Sequence, residues 1–290
     1  MRALLGILLL FPSLASPAQD WERIKADGGV IWAEGWGSSV EEADREALAA
    51  LSSRISVGIT SDFQNYEEQF STPSGTEYRS RRSSSLRMVS TATLSNTERV
   101  VLRGGRRAHV GRWIRRSELE AISLSREQRI LEYEAAAAEA ERGARVGDAL
   151  RYHYWAYALL RSVQQPSGLR DGEGRMLLNT IPERMNRILG DLEVSAVKDR
   201  GRLLLSFRYR GMSVESLSFT CFTGAGWSPV TEVRDGRGEV VLAPGALAEV
   251  VQLRIEYRYE ADAVLDAELP ELLSTLESRP LRKSQIIFRR

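Results

Sequence analysis

The sequence predicts an α+β fold: an N-terminal helix on an antiparallel sheet, a central αα-hairpin and a C-terminal immunoglobulin-like β-sandwich. Three observations carry that expectation. Short β-branched and aromatic runs flank a capped amphipathic stretch between Val30 and Arg115, the period turns helical from Ser117 to Val163, and strand-like runs separated by glycine turns fill the chain from Leu192 onward. With 290 residues, 43% of them hydrophobic and 27% charged, the composition is globular and the length suffices for two or three cores.

Residues 1–18 read as a secretory signal, with Arg2 ahead of the apolar run Ala3 to Phe11 and a small-residue exit through Ala15 and Ala18. A domain of one helix on an antiparallel sheet is expected over 19–122. Val30 to Trp36 is its first strand, ended by Gly35 and Gly37, and Ser38 with Glu41 or Ser39 with Glu42 has the capping-box spacing that starts a helix. Val40, Ala43, Ala47 and Leu51 form that helix's apolar face. Ile55, Val57, Ile59 and Phe63 then alternate with polar residues, which predicts a half-buried strand. Gln64 to Gly75 reads as a hairpin or loop, and Glu77 to Leu94, Thr97 to Leu102 and Arg107 to Arg115 as further strands, with a turn at Gly104-Gly105.

The helical region spans 123–189. Its two main helices, Glu118 to Arg142 and Val146 to Val163, form a hairpin that has the look of a single tetratricopeptide-like unit, followed by a short helix around Ile181 to Leu189. A lone unit must bury its apolar face against another region or a partner. The sandwich is placed at 190–262, on strands Leu192 to Val197, Arg202 to Tyr209, Ser216 to Phe222, Pro229 to Val233, Gly238 to Leu242 and Glu249 to Tyr259. A helix near Ala263 to Leu276 and a basic tail occupy 263–290.

Taken together, "IWAEGWG", "SSVEEADREALAAL", "ISVGITSDF", "TATLSNTERVVL" and "HVGRWIRRSELEAI" resemble the LPP-twenty family of bacterial envelope lipoproteins. The longer members are similar over nearly the whole mature chain, through "DALRYHYWAYALLRS", "IPERMNRIL" and a β-domain. The resemblance implies a periplasmic or outer-membrane envelope component and carries over no catalytic residue. The chain departs from the family in lacking a lipid-bearing cysteine after the signal; its one cysteine, Cys221, reads as a buried thiol on a strand.

Outside the signal, 39 basic residues balance 39 acidic ones, so nothing pulls the whole chain toward nucleic acid, and no later run approaches the about 18 apolar residues of a membrane span. The two histidines, His109 and His153, sit near no cysteine or spaced carboxylate set, and the phosphate-loop, nucleophile-elbow and zinc-protease motifs are absent. Neither a catalytic set, a metal nor a cofactor is therefore expected. Trp32, Trp36 and Trp113 can stack on sugars or fill a core, and the core role is the expected one. The αα-hairpin concentrates Tyr152, Tyr154, Trp155 and Tyr157 on one helix, where they cannot all face inward, and Trp155 is a candidate contact.

One local asymmetry stands out. Between Arg79 and Arg116 lie eleven arginines and a single acid, Glu98. Either this is a solvated strand face balanced by the next helix, or Arg79, Arg81, Arg106, Arg107, Arg112 and Arg116 capture an anionic envelope polymer or lipid headgroup, since guanidinium forks match phosphate and carboxylate. The expected role is binding or scaffolding in the exported envelope, with an envelope protein or anionic polymer as partner. The alternative is a cell-wall glycan hydrolase, which requires two carboxylates about 5–10 Å apart in one cleft.

Overall fold

The computed structural model describes residues 17–70, 97–163, 166–223, 226–242, 250–256, 263, 266, 268–274 and 285–289. Among the described residues it is a mixed α+β structure with three antiparallel sheets. The chain divides into two compact units, Met1–Arg54 with Asn96–Leu119, and Ile55–Ser95 with Glu120–Arg290. Among the described residues no helix is long and apolar enough to cross a membrane.

The first unit contains α1 (Pro17–Ala26), β1 (Val30–Gly37), the start of α2 (Val40–Phe70), β2 (Glu98–Arg103), a 3-10 turn at Gly105–Arg107, and β3 (Ala108–Arg115). Its sheet has the order β1-β3-β2, with Trp32 opposite Trp113 and Trp36 opposite His109. Alternation along the strands divides the sheet into two faces. Ala33, Ala108, Val110 and Ile114 are buried with Ala43, Ala47 and Leu51 of α2. Helix and strand meet backbone to backbone: a Cβ on Gly35 would lie 2.2 Å from the Ala43 carbonyl and the Ala47 nitrogen, so only glycine permits the approach. On the other face Trp21 of α1, 2% exposed, lies over Gly111 and packs 5.8 Å from Trp32 and 5.9 Å from Trp113.

The cap of α2 follows the expected chemistry with a shifted partner. The Ser39 hydroxyl accepts from the Glu42 N–H at 3.2 Å, while the Glu42 carboxylate accepts from the Ser38 N–H at 2.7 Å and from its hydroxyl. The strand expected at Ile55 to Phe63 is corrected: α2 runs unbroken to Phe70, which also removes Gln64 to Phe70 from the expected loop. Ile55, Ile59 and Phe63 are four residues apart as well as on alternate positions, so a strand pattern and a helical stripe share them. Once nucleated, a helix gains a hydrogen bond with each added residue, and no proline interrupts this one. The strands expected within Glu77 to Leu94, with Arg79 and Arg81, lie outside the described residues, as does the signal segment up to Ser16.

The second unit takes up α3 (Arg116–Arg142) from Glu120 onward, then α4 (Val146–Leu160), α5 (Leu177–Gly190), the strands β4 (Leu192–Asp199), β5 (Arg202–Tyr209), β6 (Met212–Ser213), β7 (Leu217–Cys221), β8 (Thr231–Val233), β9 (Arg237–Val241), β10 (Val250–Glu256) and β11 (Gln285–Arg289), and α6 (Leu269–Ser274). One sheet has the order β11-β10-β7-β8; in the other, β4 pairs one edge of β5 and β6 and β9 pair the other. Leu203, Leu205, Phe207 and Tyr209 alternate inward along β5. Phe207 meets Phe219 of the opposite sheet at 5.1 Å, and Gly238 leaves room for both rings. The two sheets therefore pack face to face. Arg200-Gly201, Arg210-Gly211 and Asp235-Gly236 all have positive φ, the conformation of tight hairpin turns.

Helices and both sheets of this unit share one buried cluster, which runs from Ile130 through Trp155, Ile181 and Phe219 to Leu273. The C-terminal segment departs from expectation. Its helix is the short α6, and the expected basic tail returns as β11 on the edge of β10, because Gln285–Arg289 can satisfy an exposed row of backbone donors and acceptors there.

Candidate ligand-binding edge of the first unit

The turn at Gly105–Arg107 lies against the end of β1, beside the paired residues Trp36 and His109. Gly105, at φ 81°, makes the reversal between β2 and β3 possible. Arg103, Arg106 and Arg107 are exposed around this reversal, and no acid among the described residues pairs with them. Trp36 is 61% exposed and stacks on the His109 ring at 4.8 Å and 13°. One indole face is thus supported by protein and the other is open.

Beneath this platform, Glu34 organises the interior side. Its carboxylate accepts from the Trp21 indole N–H at 2.6 Å and lies 3.4 Å from both Lys25 Nζ and His109 Nε2. Burial pushes the Glu34 carboxyl up, but the Trp21 hydrogen bond and the charges of Lys25 and His109 outweigh it and hold the group below its ordinary value. The carboxylate lies beside the histidine that backs Trp36 without a hydrogen bond to it: His109 Nε2 is buried and, among the described residues, has no hydrogen-bond partner. In the strand register Arg103 lies opposite His109, which lies opposite Trp36, and Arg106 and Arg107 stand in the turn that precedes β3. An open aromatic face at an edge that carries three exposed arginines can stack on a sugar ring while binding phosphate or carboxylate.

The remaining candidates are placed elsewhere. Arg112 points to the α2 face, where it donates to Asp44 Oδ1 at 2.7 Å and Oδ2 at 2.8 Å, and to Thr97 at 2.8 Å. Arg112 and Arg116 are not gathered into one surface: β3 ends at Arg115, and Arg116 opens α3 and donates to the Gly28 carbonyl. Trp155 is 7% exposed within the large core, ringed by Tyr133 at 5.4 Å and Tyr152 at 5.7 Å, with the Arg151 guanidinium over it. Trp32 and Trp113 pack on Trp21, whereas Trp36, from the same strand face as Trp32, is solvent-facing. Cys221 is buried, and burial pushes its thiol up to about 11.

Sequence reasoning missed Trp21, Glu34 and Arg103 as parts of this edge. Only Glu34 left a trace: a lone acid between two tryptophans on a strand, in "IWAEGW", asks for a partner.

A second polar cluster occupies the helices of the other unit. His153 Nδ1 lies 2.6 Å from Glu134 Oε1, Arg184 reaches Glu134 Oε2 at 2.5 Å and Asp171 at 2.8 Å, and Asp171 also binds Arg175. These contacts join α3, α4, α5 and the loop before α5. Further along α3, Arg126 donates to the Ser162 carbonyl and Glu268, and Arg129 to Glu268 and Asp266, which anchors the start of α6. Both networks consume their charges in holding elements together. Among the described residues no group of three or more His, Cys, Asp and Glu is arranged to hold a metal ion.

Compared with known proteins, the chain matches no family model, no curated protein sequence and no solved structure.

Proposed function

We propose that this chain is an exported, non-catalytic component of the bacterial cell envelope that binds an anionic envelope polymer or lipid headgroup at the Trp36 edge. The observation that carries the reading is the placing of exposed Trp36 and exposed Arg103 in one register row through His109, with exposed Arg106 and Arg107 in the adjoining turn. A core residue would be covered, and a merely solvated arginine face would not need a tryptophan backed by a histidine and an ionised glutamate. Support for the compartment comes from the signal-like residues 1–18 and from the sequence resemblance to the LPP-twenty family. Within this reading α3 and α4 are a single tetratricopeptide-like hairpin and the two packed sheets an immunoglobulin-like sandwich.

Arg103, Arg106 and Arg107 are replaced together by Gln, and Trp36 separately by Ala. Wild type is expected to be retained on vesicles of anionic phospholipid or on anionic wall polymer, with retention falling steeply from low to physiological salt. The triple arginine variant loses retention on the anionic supports, while Trp36→Ala weakens binding to glycan-bearing supports more than to plain phospholipid. Absence of any salt-sensitive retention by wild type discards the proposal.

A further inference from the structure

Helix α3 has a mixed buried side and a second, largely apolar stripe that faces outward. Ser123, Arg126, Ile130, Glu134, Ala137 and Ala140 form its buried side, packed and bonded within the second unit. On the far side, Ala121, Leu124, Gln128, Leu131, Ala135 and Ala138 follow one another in alternating steps of three and four residues, and every one is exposed. Leu124 is 64% exposed and Leu131 50%. Surface helices normally turn charged and polar residues outward, and steps of three and four are those of a coiled-coil seam, in which each side chain enters a gap on a facing helix. Four consecutive alanines in Ala135–Ala138 leave the later part of the seam shallow enough for a close neighbour.

The charges beside the seam specify the neighbour. Glu120 and Glu127 border one edge and Glu132 and Glu139 the other, while the helix's central cations, Arg126 and Arg129, turn inward to Asp266 and Glu268. Arg142, exposed at the last turn, is the single base at the outward end. In a helix pair such flanking positions face the flanking positions of the partner. Two copies of this face would set glutamate against glutamate in either orientation, so self-pairing is opposed by like charge. A helix with Lys or Arg on its flanks would meet four acids.

We propose that the outward face of α3 is a docking seam for one helix of a partner protein, a helix with a small apolar stripe and basic flanks. Gln128, whose amide donates to Glu132 at 3.0 Å, is the polar residue inside the seam that would set the partner's register.

The test uses the full chain and a fluorescent three-heptad helical peptide with Leu and Ala along its stripe and Lys on its flanks; a second peptide carries Glu instead of Lys. The Lys peptide is expected to bind wild type, to bind less as salt rises, and to lose about tenfold or more in affinity to Leu124→Gln with Leu131→Gln. The Glu peptide should not bind. Both leucines are exposed, so the double variant should keep wild-type circular dichroism and melting temperature. As an independent check, Glu132→Lys with Glu139→Lys should weaken the Lys peptide and admit the Glu peptide. Replacing Arg106 and Arg107 should leave the peptide result unchanged, which separates this seam from the Trp36 edge. The proposal is overturned if the Lys peptide fails to bind, if it binds the leucine variant equally well, or if wild type self-associates through Leu124 and Leu131 in sedimentation.

Discussion

Arg112 donates to both oxygens of Asp44, and this contact, against an opposing push from burial, holds the Asp44 carboxyl below its ordinary range. A carboxyl depressed in the folded state binds its proton more readily when unfolded, where its pKa is about 3.9. The pair therefore contributes stability above that value and loses it as pH falls through the folded pKa. Arg112→Gln is expected to cost about 1–3 kcal/mol at pH 7, measured by urea unfolding, with the difference shrinking toward pH 2. A loss of the same size at both pH values would assign the cost to packing instead. The same residue shows why the candidate site was only partly legible. Counting arginines located the region, and Arg106 and Arg107 do stand exposed at the reversal. Nothing in the local sequence told Arg112 from them, because its partner lies 68 residues away on a helix.

Among the elements, those of the second unit were the most legible. The strands at Leu192–Asp199 and Arg202–Tyr209 lie where alternation and glycine turns placed them, since each buries one face and a period of two admits little else, while Leu217–Cys221, buried on both faces, was legible from its β-strand composition and flanking turns. The error in α2 arose where the spacing satisfied two periods at once, and α1 left no expectation because its contribution rests largely on one residue, Trp21. In the hairpin, the crowded aromatics resolve into Tyr154 and Trp155 inside the core and Tyr133, Tyr152 and Tyr157 partly buried against it. Trp155→Ala should accordingly cost about 3–5 kcal/mol in denaturant unfolding, as expected for deleting a large ring from a core that cannot collapse around the gap. A cost below about 0.5 kcal/mol would place the ring outside the packed interior.

For the molecule as a whole, the two units differ in what they bury. In the first, four of the buried apolar residues around the sheet are alanines, Ala33, Ala43, Ala47 and Ala108, each contributing a single methyl group. The second joins Leu, Ile, Phe and Tyr side chains from its helices and both of its sheets. Free energy from burial grows with apolar area, so the first unit should open more readily. Hydrogen exchange under mild denaturant is expected to release the amides of β1 and β3 before those of β5 and β7. Simultaneous release would mean that α2 and α3, which both cross the division at Arg54 and Leu119, fuse the two into one cooperative system.

The exposed indole of Trp36 has an optical consequence. Of six tryptophans, Trp21 and Trp155 are buried, Trp227 is 37% exposed under the Arg254 guanidinium, and Trp36 is 61% exposed at the edge that carries Arg103, Arg106 and Arg107. An anionic collisional quencher such as iodide is concentrated there and a cationic one such as caesium is repelled. The part of the difference between the two quenching curves that disappears on replacement of Trp36 by Phe, the remainder belonging to Trp227, makes the emission of this one side chain a label-free gauge of occupancy and surface potential at the Trp36 edge.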